Sequence, residues 1–321
     1  MSVTGFLHTL SGQDLWLWRS RSLGEAQAHQ IDSAEVDWLL RGLCQIELLT
    51  LRLGTLAQVA AVPSQVTLAE LAALWEQRIY DRVPIQQLVG QTPWRDLTLR
   101  VSPAVLIPRP ETELIIDIAV AWIAQSPQAT ALRRGIWVDL GTGSGAIALG
   151  LARALPEAQI LAVDVSEAAL AIAQQNAVEN GLSDRVQFFH GSWFEPLGPE
   201  LGPIAGMLAN PPYIPHEIVP TLAPEVAHHE PRLALDGGDD GLDAIRHLVQ
   251  TAPKYLQPGG LWLVEHMQGQ STDIMALLIT THQFEQVRSV PDLAGCDRFV
   301  LGTVILEPHN PDGEVESNST A

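Results

Sequence analysis

Apolar positions along this chain change period twice, and each change predicts a change of structure. Up to about residue 88 they recur at helical spacing. Val36, Leu39, Leu40, Leu43 and Ile46 follow Asp32-Ser33, and Leu68, Leu71, Trp75 and Ile79 follow a Thr67–Glu70 capping box. Leu15, Trp16 and Trp18 form an earlier apolar patch, and Gly54 ends or interrupts the second helical segment. Between 90 and 108 the period shortens to two. Leu97, Leu99 and Val101 alternate with Thr98 and Arg100, and Ala104–Ile107 lies between Pro103 and Pro108, which predicts a small hairpin. Pro110, Glu111 and Glu113 then open a helix running from Leu114 to about Gln125, with proline and acids where a helix start favours them.

From Gly135 short apolar runs alternate with helical stretches. The runs 136–140, 160–163, 186–189, 204–209, 261–264, 284–290 and 298–305 read as strands. Helices are expected over 146–155, from the Ser166 cap to Asn180-Gly181, over 240–255 and from about Ser271; Pro258-Gly259-Gly260 reads as a turn. This alternation predicts an α/β fold, a mostly parallel sheet with helices on both faces. The expected division is a helical docking domain over 1–88, a β-hairpin linker over 89–108, a catalytic domain over 109–306, and an acidic disordered tail over 307–321.

Composition narrows the partners. The chain has 321 residues, 46% of them apolar, enough for a substantial core. Lys and Arg number 18 against 37 Asp and Glu, a net charge of −19. Tracking a nucleic-acid backbone draws its affinity from Lys and Arg, so direct nucleic-acid binding is disfavoured, while a basic protein partner is not. Cys44 and Cys296 form no CxxC pair and no ligand cluster, so free thiols in a reducing cytosol are expected. No signal peptide and no membrane-spanning apolar window is visible. His228-His229 has no third ligand in view and reads as exposed loop, so no metal site is expected.

The chemistry gathers at strand ends. Gly141-Thr142-Gly143-Ser144-Gly145 turns the first strand into a helix, and Asp164 ends the second strand. Glycines let the backbone approach a ligand, and a carboxylate at that place accepts ribose hydroxyls. Together they point to a nucleoside-containing cofactor without separating S-adenosyl-L-methionine from a nicotinamide dinucleotide. Asn210-Pro211-Pro212-Tyr213, at the end of the fourth strand, does separate them. Two prolines stiffen the turn and remove donors, leaving the Asn210 side-chain oxygen and the Pro211 carbonyl as acceptors beside a flat ring. That corner suits a planar nitrogen with two N–H donors, which is a methyl acceptor and not a hydride acceptor. An amide nitrogen is a poor nucleophile because its lone pair is delocalised. Held by fixed acceptors it gains electron density, and positioning supplies most of the catalysis.

These motifs resemble class I S-adenosylmethionine-dependent methyltransferases that modify planar amino groups. Leu106-Ile107-Pro108-Arg109-Pro110-Glu111-Thr112-Glu113, and Glu230 to Gly238 followed by Asp240-Gly241-Leu242, narrow the resemblance to the peptide chain release factor N5-glutamine methyltransferase family. It covers roughly residues 84 to 306; the helical N-terminal part matches in size and placement. The resemblance implies a Rossmann-like, mostly parallel seven-stranded sheet with a small N-terminal helical domain and a connecting β-hairpin. It implies a cytoplasmic enzyme whose protein substrate is the Gly-Gly-Gln loop of a class 1 release factor. Gly141, Thr142, Gly143, Ser144 and Gly145 would face the methionine part of the cofactor, Asp164 the ribose and Trp193 the adenine. Asn210 would bridge cofactor and substrate. Asn210, Pro211, Pro212 and Tyr213 would hold the glutamine, with Asn210, Pro211 and Tyr213 catalytic.

Plainer readings stand beside these. Trp193 also fits a core aromatic, and Arg109 also fits an ion pair with Glu111 or Glu113. Two positions depart from the family pattern. Arg82 stands where a glycine is usual, and Trp94-Arg95 replaces the usual aromatic-glycine pair. A ribosomal-protein glutamine methyltransferase is the next reading, and an adenine-N6 nucleic-acid methyltransferase a more distant one, which the charge opposes.

Overall fold

The structure is a computed structural model that describes residues 5–198 and 202–305. The tail expected over 307–321 lies outside the described residues. The N-terminal part comprises β1 (His8–Leu10), α1 (Gly12–Ala28), α2 (Ala34–Leu43), α3 (Leu48–Arg52), β2 (Val62–Ser64), α4 (Leu68–Glu76) and α5 (Ile85–Val89). Its helices form as their pattern predicts. The Thr67 hydroxyl accepts the Glu70 N–H while the Glu70 carboxylate accepts the Thr67 N–H. Val36, Leu39, Leu40, Leu43, Leu71 and Trp75 are buried in one cluster. The pattern did not reveal the β1–β2 ribbon, which pairs Leu10 with Val62 across the bundle. Both strands are only three residues long, too short to show a period.

The hairpin is β3 (Gln91–Trp94) with β4 (Leu97–Arg100), paired Trp94 to Leu97. Ala104–Ile107 is therefore not its second strand. Gly90, at φ 77, ends α5 and turns the chain directly into β3. Val105 and Ile107 instead pack against Val101 and Ala169. Arg82 and Arg95 both lie in left-handed backbone, at φ 59 and φ 52. A glycine has no steric penalty there, which gives the family's usual residue at each place a physical reason. Arg82 ends the single π-helical turn after α4 and pairs with Glu225 at 2.6 Å. Arg95 forms the hairpin turn and binds both oxygens of Asp117, at 3.0 and 2.9 Å.

The remaining chain builds the main sheet and its helices: α6 (Leu114–Gln125), α7 (Ala129–Leu132), β5 (Ile136–Leu140), α8 (Ala146–Ala154), β6 (Gln159–Asp164), α9 (Glu167–Glu179), β7 (Val186–His190), β8 (Ile204–Ala209), α10 (Pro224–Ala227), α11 (Asp243–Thr251), β9 (Leu256–Glu265), α12 (Ser271–Thr280), β10 (Phe284–Pro291) and β11 (Asp297–Val304). The sheet has seven strands in the order β10-β11-β9-β8-β5-β6-β7. From β7 to β9 neighbours are parallel; β11 and β10 close the edge antiparallel. Alternate strand residues feed two cores. Trp137, Ile160 and Ala162 meet α6 and α8 on one face, while Val138, Leu161 and Val163 meet α11 and α12 on the other. Each large apolar side chain so buried contributes roughly 1.5–3 kcal/mol.

Two local readings change. Pro258-Gly259-Gly260 lies inside β9, where the register with β8 slips between Ile204 and Gly206 and Gly259 sits at φ 74. A bulge and a turn ask for the same residues, so local sequence does not distinguish them. The helix expected from Asp240 begins at Asp243, because Gly241 is at φ 79 and the Asp240 carboxylate accepts the Leu242 N–H. No helix among the described residues is long and apolar enough to cross a membrane.

Candidate active site

β5 leads directly into the glycine loop. The N–H groups of Gly141 and Thr142 both donate to the Val163 carbonyl, each at 2.9 Å, which ties the loop to the end of β6. Gly143 has φ 55 and Gly145 φ 85; a Cβ on Gly145 would also stand 3.1 Å from that of Ala173 in α9. Below the loop Asp139 is fully buried. Its Oδ2 accepts the Thr142 hydroxyl at 2.5 Å and the Ala148 N–H at 3.0 Å, while Oδ1 makes no hydrogen bond among the described residues. Burial pushes the Asp139 carboxyl up to about 7 against those two hydrogen bonds.

Asp164 ends β6 and is held by backbone donors, Gly143 N–H to Oδ2 at 2.8 Å and Ser166 N–H to Oδ1 at 2.9 Å. Trp193 follows β7 at φ 50, partly buried, with its ring 3.5 Å from where a Cβ on Gly141 would sit. That is ordinary contact distance, so it is the left-handed backbone of Gly141, at φ 75, and not a lack of space that favours glycine there.

Asn210 follows β8. Its Nδ2 donates to the Thr112 hydroxyl at 3.3 Å. Among the described residues no donor reaches Asn210 Oδ1 or the Pro211 carbonyl. Tyr213 turns back from the corner: its ring packs on the second core, and its hydroxyl donates to Glu265 Oε1 at 3.2 Å. The motif after Glu230 supports this corner. Ile214 and Asp236 form a parallel bridge, and a Cβ on Gly237 would lie 2.7 Å from the Pro212 carbonyl. Gln270 Nε2 donates to the Tyr213 carbonyl at 3.0 Å.

Arg109 pairs with neither Glu111 nor Glu113. Its Nη2 meets Glu230 Oε2 at 2.5 Å, and Trp94 Nε1 donates to its carbonyl at 3.1 Å. Glu113 accepts the Arg95 N–H instead. The helical N-terminal part grips the same region. Arg78 bridges Glu35 and Glu225, Gln87 donates to the His229 carbonyl, and a ring nitrogen of His229 meets the Asp81 carbonyl. His228-His229 recruits no third ligand, and no group of three or more metal-ligating side chains occurs among the described residues.

These strand ends enclose a cavity of about 330 Å³, a size suited to a small-molecule site. It lies outside the carboxyl ends of β5, β6, β7 and β8, where the strand order reverses. Gly141, Thr142, Gly143, Ser144, Asp164, Trp193, Asn210 and Pro212 line it. Gly145 lies beside it as the helix start, Pro211 is buried between two lining residues, and Tyr213 stands behind. Thr112, Leu106 and Leu233 also line or orient the site and were missed as single residues. The only sequence signal for Glu265 was an acid ending an apolar strand.

A family model described as "Methyltransferase small domain" matches residues 114–229. A release factor glutamine methyltransferase of Synechocystis sp. is 47% identical over 91% of this chain and 96% of its own length. One from Gloeobacter violaceus is 45% identical over 88% of this chain and 95% of its own. Among solved structures, the hMettl16 catalytic domain in complex with the MAT2A 3'UTR hairpin 6 is 15% identical. It matches with a TM-score of 0.53 over 84% of this chain and 90% of that one, which speaks for the fold alone.

Proposed function

This chain belongs to the release factor glutamine methyltransferase family, and from that premise we propose that it methylates the side-chain amide nitrogen of the glutamine in the Gly-Gly-Gln motif of a class 1 peptide chain release factor. The observation that carries this reading is the corner at Asn210. Its Oδ1 and the Pro211 carbonyl are left without donors beside a cavity furnished for a nucleoside.

The residues fit S-adenosyl-L-methionine. Asp164 keeps acceptor capacity for two ribose hydroxyls beyond its two backbone bonds, Trp193 offers a flat wall for adenine, and the positive-φ glycines clear space for the methionine part. When bound, the cofactor supplies an electrophilic sulfonium methyl group. The chain's part is positional. Asn210 Oδ1 and the Pro211 carbonyl accept the two N–H groups of the substrate amide, Pro212 walls the slot, and Tyr213 anchors the corner from behind. No strong base is needed, because the alkylated nitrogen is acidic and yields its proton to water. Residues 1–88 act as a docking domain, 89–108 as a linker and 109–306 as the catalytic domain of a cytoplasmic enzyme. Its surface charge suits a basic protein partner better than a nucleic acid.

The test is transfer of labelled methyl groups from S-adenosyl-L-methionine to a release factor and to its Gln→Ala variant at that loop. Label is expected on the first only; equal labelling of both would sink the glutamine assignment.

A further inference from the structure

We propose that Asn176 is a positioning residue for the cofactor loop, and that S-adenosyl-L-methionine affinity depends on the clamp it forms between that loop and the hairpin linker. The inference rests on the cofactor part of the reading above and extends it to a residue behind the cavity wall.

Asn176 lies in α9 with 0% of its surface exposed. Its amide meets two segments that are distant in sequence. Nδ2 donates to the Ser144 carbonyl at 2.8 Å and to the Arg100 carbonyl at 3.1 Å. Oδ1 accepts the Arg100 N–H at 2.6 Å. A primary amide carries two N–H hydrogens, so both are committed. The flipped amide would set an oxygen against two carbonyls and an NH₂ group against an N–H, so these partners admit one orientation. The Ser144 carbonyl and the Gly145 N–H belong to one peptide unit of the glycine loop. The Gly145 N–H donates to the Thr142 carbonyl at 2.8 Å, so the unit is held at both ends. Gly145 sits at φ 85, and a glycine takes positive and negative φ with similar ease. The backbone alone leaves this unit free to turn over, and the two hydrogen bonds decide its direction. A reversed unit would change the surface that Ser144 gives to the cavity.

The other side of the clamp is β4, in the hairpin that joins α5 to the catalytic domain. Among the described residues no part of β3 or β4 lines the cavity. Asn180, one turn further along, grips the same strand in the same way. It donates to the Thr98 carbonyl at 2.9 Å and accepts the Thr98 N–H at 3.3 Å. Its side chain otherwise meets only the Asn176 carbonyl among the described residues, so it does not reach the glycine loop. The two asparagines thus separate anchoring of the hairpin from positioning of the loop.

The experiment compares the full chain with Asn176→Ala, Asn176→Asp and Asn180→Ala. Calorimetry reads S-adenosyl-L-methionine affinity, steady-state kinetics read kcat at saturating cofactor, and amide hydrogen exchange is followed before and after the cofactor is added. Asn176→Ala should bind the cofactor roughly 10- to 100-fold more weakly, with kcat at saturation within about threefold of the parent. Asn176→Asp keeps the shape but turns an acceptor toward the two carbonyls, and should bind as weakly. Asn180→Ala should lower Tm and leave affinity within about twofold of the parent. In the cofactor-free chain Asn176→Ala should speed exchange of the Gly145 amide, and Asn180→Ala should not. In the parent, the cofactor should slow exchange of the Arg100 amide, which Asn176 joins to the loop. That last readout needs no variant, so it decides the matter even where an Asn176 variant fails to fold. Four outcomes overturn the inference: affinity of Asn176→Ala or Asn176→Asp within about twofold of the parent, an affinity loss in Asn180→Ala as large as that in Asn176→Ala, a kcat loss at saturation as large as the affinity loss, or a parental Arg100 amide whose exchange ignores the cofactor. A parent that binds no S-adenosyl-L-methionine overturns the cofactor reading and this inference with it. A parent that binds it, with Asn176→Ala binding equally, overturns the inference alone.

Discussion

Arg109 and Glu230, 121 residues apart, meet as an ion pair at 2.5 Å, with the Glu230 side chain 1% exposed. Glu230 Oε1 also accepts the Ile107 N–H at 3.3 Å, so one carboxylate ties together two segments that line the cavity. Burial pushes the Glu230 carboxyl up, and the Arg109 charge opposes that shift. Arg109→Met strands a buried carboxylate and should destabilise by about 2 kcal/mol at pH 7, below the usual range because Arg109 is part exposed. A raised carboxyl pKa means that the folded state holds the proton longer, so stability falls as pH rises above the unfolded pKa. The deficit of Arg109→Met should therefore shrink as pH falls from 7 toward 5. Urea titrations at both pH values check this; a deficit that does not change with pH would contradict it.

Asp139 gives a second pH signature. Its carboxyl titrates near 7 in the fold against 3.8 as its ordinary value. The folded state therefore binds an extra proton between those values, and Asp139 makes stability decline as pH rises through that window. Asp139→Asn keeps an acceptor for Thr142 and Ala148 and has nothing to titrate. The stability difference between variant and parent should slope from pH 4 to pH 7 and level off above. Chemical denaturation across that range is the measurement.

Arg82 at φ 59 carries strain that its ion pair with Glu225 offsets. Arg82→Ala keeps the strain and loses the pair, while Arg82→Gly loses both. The glycine variant should be about 1 kcal/mol more stable than the alanine variant, as read by Tm and urea midpoints. The reverse order would show that the left-handed backbone is not what glycine relieves.

Asp164 and Asn210 should separate binding from turnover. Asp164→Ala should weaken S-adenosyl-L-methionine binding by roughly 10- to 100-fold and spare kcat at saturation. Asn210→Ala should weaken binding only modestly and lower kcat by roughly two orders of magnitude or more. Calorimetry with steady-state kinetics on both variants decides; an Asn210→Ala enzyme at parental kcat would remove Asn210 from the mechanism.

Much of this was open to a reader of the sequence. β5 and β8 fall on the residues their apolar runs predict, and the Thr67–Glu70 box forms as written. Both depend on neighbours a few positions apart. Local sequence does not identify the hairpin partner or the Pro258–Gly260 bulge, because these residues satisfy two local geometries equally, and pairing with another strand chooses between them.

By itself the sequence determined the alternation of strands and helices, the glycine loop, Asp164 and the stiff acceptor-rich corner at Asn210. Periodicity and backbone sterics act within a turn or a strand, so local residues suffice. Only the tertiary structure decided that Thr112, 98 residues before Asn210, receives its amide, that Glu265, 52 residues after Tyr213, takes its hydroxyl, and that Arg109 answers Glu230. Hydrogen bonds and buried charges are settled by what the packed chain brings within about 3 Å, and no spacing along the sequence encodes that.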